Sequence, residues 1–274
     1  MLTCCTWRPI IGQVRSRVLG SIASLIVALA IVAPAFAEAN SFTIGMSQGG
    51  APLTLYQLGS GPRRVLIMGG QHGGPERNTV ELVESMLDYF SANPEELPAG
   101  LQLDIMTAAN PDGLAAGSRQ FLSGVDPNRN WGGGDWRADA YDSNALFRVG
   151  LGGSEPFSEE ETRALADWVL AVRPALVVNY HSAGGFMFGP RDGAPGELAA
   201  TYAQESGYNW PGGTGAGAGQ RSPLSYSASG SMNVWLRENG ITAILVELST
   251  PWYPEVDRNL GALKAVLRQL AAFS

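Results

Sequence analysis

Val65-Leu-Ile-Met-Gly-Gly-Gln-His-Gly-Gly-Pro-Glu76 is the stretch that decides how this chain is read. Its unbroken apolar run predicts a strand buried on both faces, and Gly69-Gly70 ends it. His72 then stands at the C-terminal end of that strand, where open α/β sheets place their ligand sites. The chain has two histidines, and the other, His181, closes a similar run, Ala175-Leu-Val-Val-Asn-Tyr-His181. A single histidine is more often an ordinary core or surface residue. Two at matching strand ends, with Glu76 at the strand–loop–helix junction beside His72, point instead to a zinc set of His, His and Glu. That set leaves one position open for water.

Working outward, Ser41–Gly45 and Pro52–Leu58 read as short strands around a turn, and Arg64–Met68 as an interior one. Helical spacing of Val80, Leu82, Val83, Met86, Leu87 and Phe90 predicts a helix from Glu76 to Asn93. Leu101–Met106 is a fourth strand, and Asn110-Pro-Asp-Gly113 a turn. From there to Phe157 the chain is Gly-rich and irregular, and a loop of that length is usually functional or disordered. Ser158-Glu-Glu-Glu161 has the form of a capping box for a helix to Val172. Further helices are expected over Gly196–Ser206, Met232–Glu238 and Pro254–Phe273, and a last strand over Ile241–Val246 delivers Glu247. Gly212–Gly219 neither follows a strand nor opens a helix and reads as loop. Strands alternating with helices mean an α/β class with a mixed, mostly parallel sheet.

Residues 1–37 are expected to be a signal peptide rather than part of the fold. Arg8, Arg15 and Arg17 with no acid, an apolar run from Val18 to Ala33, and Ala35-Phe-Ala37 make the basic, hydrophobic and cleavage regions of such a leader. The apolar run is short for a permanent span, so the expectation is export to the periplasm or outside the cell, with no stable membrane insertion after cleavage. Cys4 and Cys5 leave with the leader, so residues 38–274 carry no thiol ligand, thiol nucleophile or disulfide. The loss of three arginines takes the 18 basic residues to 15 against 25 acidic, a net charge of −10. Such a chain is unsuited to holding nucleic acid or anionic lipid. Its 237 remaining residues fit one large α/β domain.

Several further motifs act as a set: Arg119; Gly124-Val-Asp-Pro-Asn-Arg-Asn-Trp131; Pro156-Phe-Ser-Glu-Glu-Glu-Thr162; His181-Ser182; Tyr226-Ser-Ala-Ser-Gly230; and Glu247. With Gly70-Gln-His-Gly73, Glu76 and Asn110–Gly113, they make the chain resemble the zinc carboxypeptidase family, the carboxypeptidase A-like metallopeptidases. Several motifs are also similar to the small bacterial murein-peptide amidases of that family. The resemblance runs from about Ile44 through the last helix, and it implies a single-domain fold with helices on both faces of the sheet.

It also implies roles. His72, Glu76 and His181 would hold one zinc per chain, and Asp126 would accept a hydrogen bond from His72 to fix its ring. Glu247 would be the general base and Arg119 the oxyanion-stabilising cation. Asn128, Arg129 and Tyr226 would hold the free carboxylate of a peptide, murein peptides included. Arginine suits that task because its planar fork meets a carboxylate through two parallel bonds. Asn233 falls where related enzymes place a pocket-floor residue.

One departure bears on the metal. The family pattern is His-x-x-Glu, whereas Glu76 stands four residues after His72, with Pro75 in the usual ligand position. Within a helix one extra residue would turn the side chain by about 100°. Absorbed at Gly73-Gly74, it would leave Glu76 within reach, and Pro75 suits a first helical turn. Three other readings compete. A serine hydrolase lacks a Gly-x-Ser-x-Gly elbow. A non-catalytic peptide-binding relative would not need every polar residue that is present. A zinc deacylase of small N-acyl amino acids, of the aspartoacylase type, shares the ligand set and is separated only by its substrate.

Overall fold

A computed structural model describes residues 39–211, 224, 226 and 228–273. The expected leader and the Gly212–Gly219 tract lie outside the described residues. Nine strands and six α-helices follow in chain order: β1 (Asn40–Met46), β2 (Pro52–Gly59), β3 (Arg63–Met68), α1 (Arg77–Ala92), β4 (Leu101–Met106), α2 (Pro111–Ala116), β5 (Ala140–Tyr141), β6 (Phe147–Arg148), α3 (Glu160–Val172), β7 (Leu176–Ser182), β8 (Phe186–Phe188), α4 (Gly193–Ser206), α5 (Met232–Glu238), β9 (Ala243–Leu248) and α6 (Val256–Ala272).

The main sheet has the order β1-β2-β4-β3-β7-β9-β8. Its four central strands, β4-β3-β7-β9, are parallel, and the strands outside them pair antiparallel. Alternation along the strands splits the core into two layers. Val65, Ile67, Val178 and Val246 pack against α1, α4 and α6, while Leu66, Met68 and Val177 pack against α3 and α5. This is the mixed, mostly parallel α/β sheet expected from the alternation of strands and helices, with the helices on both faces that the family resemblance implies. Among the described residues no helix is long and apolar enough to cross a membrane.

Strand order reverses between β3 and β7. The chain leaves β3 for β4 on one side and returns to β7 on the other. A crevice therefore opens between the C-terminal ends of β3 and β7. His72 follows β3 and His181 is the penultimate residue of β7, so both histidines sit at this switch point.

Local differences from the sequence reading have simple causes. Asn110-Pro-Asp-Gly113 does not end as a turn. The Asn110 side chain accepts from Gly113 N and caps α2, with Pro111 in the first position. Ser158 does not cap α3; its hydroxyl is engaged by the Asn130 amide and donates to Glu159, and the helix starts one residue later than expected for a Ser158 cap. The long irregular stretch contains the β5–β6 hairpin, and the short edge strand β8 was not expected at all. β9 runs through Leu248, so Glu247 is inside the strand rather than just beyond it.

Candidate active site

The extra residue between His72 and Glu76 is taken up before the helix begins. Gly73 adopts φ 49° and ψ −131°, a conformation open to glycine and costly for other residues. A tight turn over Gly74–Glu76 follows, and α1 starts only at Arg77. Glu76 closes that turn and lies before α1, so the rotation of about 100° that an extra residue within an α-helix would cause does not arise. Its carboxylate turns back toward His72, with Oε1 2.8 Å from His72 Nδ1.

His181 arrives from β7. Its Nδ1 lies 3.1 Å from His72 Nδ1 and 3.3 Å from Glu76 Oε2, and Ser182 N donates to the same Oε2 at 3.2 Å. All three side chains are buried, and their donor atoms lie within 4.8 Å of one another. Four ligands placed tetrahedrally at about 2.0–2.1 Å from zinc stand roughly 3.3 Å apart. The observed separations of 2.8, 3.1 and 3.3 Å are close to that figure. Two imidazole nitrogens and a carboxylate converging in a buried space have more lone pairs than protons to share, and a divalent cation resolves this. The donor set fits zinc.

The far side of His72 is equally built. Nε2 lies 3.2 Å from Asp126 Oδ1 and 2.9 Å from Arg119 Nη2. It can serve one of these neighbours at a time: with a proton it donates to Asp126, and without one it accepts from Arg119. Arg119 also donates to Asp126 Oδ2 at 3.0 Å and to Glu76 Oε1 at 2.8 Å. Burial works against its charge, but Asp126 and Glu76 outweigh that and hold it firmly protonated. Its guanidinium thus lies on the ligand set, although it also lines the cleft where an oxyanion would form. Burial opposes ionisation of Glu76 and Asp126 too. His72 and His181 around the first, and Arg119 and His72 around the second, hold both well below the usual carboxylate range.

Glu247 pairs with His181 across the parallel β7–β9 register, so the two side chains share a face of the sheet. It is half-buried at the cleft wall. Burial pushes its carboxyl up to about 7; His181 and Arg119 pull it down, and the neighbouring Glu76 charge pushes it further up.

The cleft encloses about 790 Å³ and is lined by His72, Arg119, Asn128, Arg129, Tyr226 and Glu247 among others. Arg129 is 2% exposed. Its Nε donates to Tyr141 O at 2.9 Å, Nη1 to Asn128 O at 2.8 Å, and Nη2 reaches the Tyr226 hydroxyl at 3.4 Å. Among the described residues no carboxylate lies within 4.0 Å of it. Asn128 Oδ1 accepts from Met232 N at the start of α5, and Asn233 lines the same cleft.

The comparisons with known proteins agree with this geometry. A family model described as zinc carboxypeptidase matches residues 23–255. The chain belongs to the zinc carboxypeptidase family. It is 31% identical over 184 residues to murein peptide amidase A of Escherichia coli K12, covering 63% of this chain and 73% of that protein. A crystal structure of a murein-tripeptide amidase from E. coli O157 aligns with TM-score 0.66 and 26% identity over 86% of this chain and 93% of that one. The fold alone is shared with carboxypeptidase A from Helicoverpa armigera, at TM-score 0.68 and 17% identity over 86% of this chain and 69% of that one. As a member of this family the chain is a zinc metallopeptidase.

Asn78 was not foreseen from sequence. Two residues beyond Glu76 and 2% exposed, it accepts from Ser182 Oγ at 2.9 Å. Its amide donates to Thr250 O at 2.7 Å and Tyr253 O at 3.1 Å. One side chain therefore joins α1, the last residue of β7 and the loop that follows β9. Gln71 plays a similar part, donating to Pro127 O and accepting from Asn179.

Proposed function

We propose that this protein is an exported carboxypeptidase that removes the last residue from peptides with a free C-terminus, murein peptides among them, using one zinc held by His72, Glu76 and His181. The observation that carries the reading is Arg129. A guanidinium buried among two carbonyls and a phenol, with no carboxylate within ion-pair range among the described residues, is costly to desolvate unless an anion meets it. A substrate carboxylate entering the cleft beside Asn128 and Tyr226 supplies that anion and sets the scissile bond one residue away, near His72 and Glu247.

Zinc, when bound, supplies Lewis acidity that polarises the scissile carbonyl and lowers the pKa of water toward 7. The protein's own residues do the rest. Glu247, with a carboxyl near neutrality, accepts the proton of the attacking water and returns it to the leaving amine. Arg119 offers fixed positive charge to the developing oxyanion. Asp126 holds the His72 ring so that Nδ1 faces Glu76 and His181.

The test compares peptides with free and amidated C-termini. Amidation is expected to raise KM and cut kcat/KM steeply in the wild type, and the penalty is expected to shrink in Arg129→Ala, whose anion partner is already gone. Equal cleavage of both peptides, or internal cleavage, would refute the exopeptidase reading. Preferential cleavage of small N-acyl amino acids would establish the deacylase instead.

A further inference from the structure

The chemistry above leaves the β5–β6 hairpin without a part, yet the hairpin touches both members of the pair expected to meet a substrate carboxylate. The Tyr141 carbonyl accepts from Arg129 Nε at 2.9 Å, and the Tyr141 ring centroid stands 6.2 Å from that of Tyr226. The Tyr226 hydroxyl in turn lies 3.4 Å from Arg129 Nη2. One residue therefore supports Arg129 through its backbone and Tyr226 through its side chain. Arginine has five N–H groups. Here Nε serves Tyr141 O, one N–H of Nη1 serves Asn128 O and one of Nη2 serves Tyr226. One N–H on each terminal nitrogen is left for two parallel bonds to a carboxylate. The bond at Nε keeps the guanidinium plane from turning that fork away.

Each strand of the hairpin is two residues long, and a two-stranded hairpin is marginal by itself. Its tip is held by one buried side chain. Asp142 Oδ1 accepts from Asn144 N and Leu146 N, both at 2.9 Å, and Oδ2 accepts from Arg148 Nε at 2.9 Å. The Asp142 backbone closes the same turn: N donates to Leu146 O at 2.9 Å, and O accepts from Ala145 N at 3.0 Å. Ala145 has φ 58°, a left-handed conformation that a non-glycine residue keeps only where its surroundings impose it. The base of the hairpin is anchored separately. Gly152 N donates to Ala138 O at 2.8 Å, and Asp126 N to Leu151 O at 2.9 Å. Loss of the Asp142 carboxylate would therefore loosen the tip, Tyr141 included, and spare the segment that carries Asp126.

We propose that Asp142 and Tyr141 are positioning residues for substrate: Asp142 fixes the hairpin tip, and Tyr141 passes that order to Arg129 and Tyr226, which are thereby preset for a C-terminal carboxylate. This rests on the carboxypeptidase reading and deepens it. The physical reason is preorganisation, since a guanidinium already held in its binding geometry loses less freedom when the carboxylate arrives. Among the described residues the hydrogen bonds of the hairpin tip go to none of His72, Glu76, His181 and Glu247. Its contribution therefore falls on substrate binding, and turnover and metal affinity do not depend on it.

The experiment uses the zinc-loaded mature protein and peptides with free and amidated C-termini. Asp142→Ala is expected to raise KM for the free peptide by roughly tenfold, the scale of one hydrogen bond to a charged group, with kcat within about twofold of wild type and zinc content unchanged. On the amidated peptide it should match the wild type. In an Arg129→Ala background it should add no further loss, since the side chain it positions is gone. Asp142→Asn keeps an acceptor for Asn144 N and Leu146 N and should recover most of the KM. An equal loss on both peptides, a fall in kcat as large as the rise in KM, or an additive loss with Arg129→Ala overturns the proposal. If Asp142→Ala does not fold, Tyr141→Ala carries the test, because it keeps the carbonyl and removes an exposed ring that supports Tyr226. The same loss confined to KM upholds the proposal, and no loss or an equal loss on both peptides overturns it. If the wild type cuts both peptides equally or neither, the carboxypeptidase reading fails. Hydrogen exchange at the Arg129 Nε–H, a resonance identified by its absence in Arg129→Lys, then still decides the positioning. Exchange about tenfold faster in Asp142→Ala than in the wild type upholds it, and unchanged exchange overturns it.

Discussion

Gly73→Ala tests whether the glycine that absorbs the extra residue is what brings Glu76 to the metal. At φ 49° and ψ −131° a side chain is strained by about 1–3 kcal/mol. An added Cβ would also stand 2.4 Å from Ser118 O and 2.5 Å from Gly113 C, both backbone atoms that cannot swing aside. Relief requires the loop to move, and Gly74 N donates to that same Ser118 O at 3.2 Å. The displacement falls on the turn that carries Glu76. At about 1.4 kcal/mol per tenfold, zinc affinity is expected to weaken by at least about tenfold. Competition against a chromogenic chelator measures this, with a thermal melt of the metal-free protein alongside. Gly117→Ala is the control. It too has a positive φ, 68°, at the end of α2, but nothing lies within 4 Å of its added Cβ. It should cost about 1–2 kcal/mol, lowering Tm by about 2–4 °C per kcal/mol, and leave zinc affinity alone. Wild-type zinc binding in Gly73→Ala, or equal loss in both variants, would refute the reasoning.

Two other outcomes are expected. Glu247→Gln should keep zinc and Tm while losing at least about 10²-fold in kcat, because an amide cannot take the proton; a smaller loss measured by steady-state kinetics would mean another group is the base. Glu161 is buried, its Oε2 has no hydrogen-bond partner among the described residues, and burial with the Asp112 and Glu159 charges raises its pKa. The folded protein then holds a proton that the unfolded chain has already released, so stability falls as pH rises from the ordinary carboxylate value to the raised one. Glu161→Gln should therefore raise Tm at pH 7 and give no gain below pH about 4, with Gln48 N still accepted by the amide oxygen; a gain of the same size at both pH values would show that ionisation is not the cause.

What could be read from sequence follows the physics of burial. The central parallel strands announce themselves because both faces are covered, which forces runs such as Val65–Met68 and Leu176–Val178 to be apolar. Their ends then place His72 and His181 with no further information. β8 gave no such signal: Phe186-Met-Phe188 is three residues long, between Gly184-Gly185 and Gly189-Pro190, and its pairing with β9 makes it a strand. Ser158 and Asn110 show the limit of local rules, since a side chain that suits one cap was taken by a tertiary partner in the first case and made a different cap in the second. Arg119 lines the cleft and also touches the metal ligand set. Its contacts with Glu76 and Asp126 come from long-range packing that no spacing reveals.

Asn78 has a consequence for how enzymes of this shape can be remodelled. Its amide needs the Thr250 and Tyr253 carbonyls three residues apart and the Ser182 hydroxyl opposite them. The loop between β9 and α6 is therefore not an interchangeable cassette. A loop of another length, transplanted between Leu248 and Glu255, would have to present two carbonyls at that separation. Otherwise it would leave the buried Asn78 amide unpaired two residues from Glu76 and in contact with Ser182, the neighbour of His181. Transplants that keep the Thr250–Tyr253 spacing and vary only the exposed Trp252 and Tyr253 side chains leave that joint, and with it the metal site, intact.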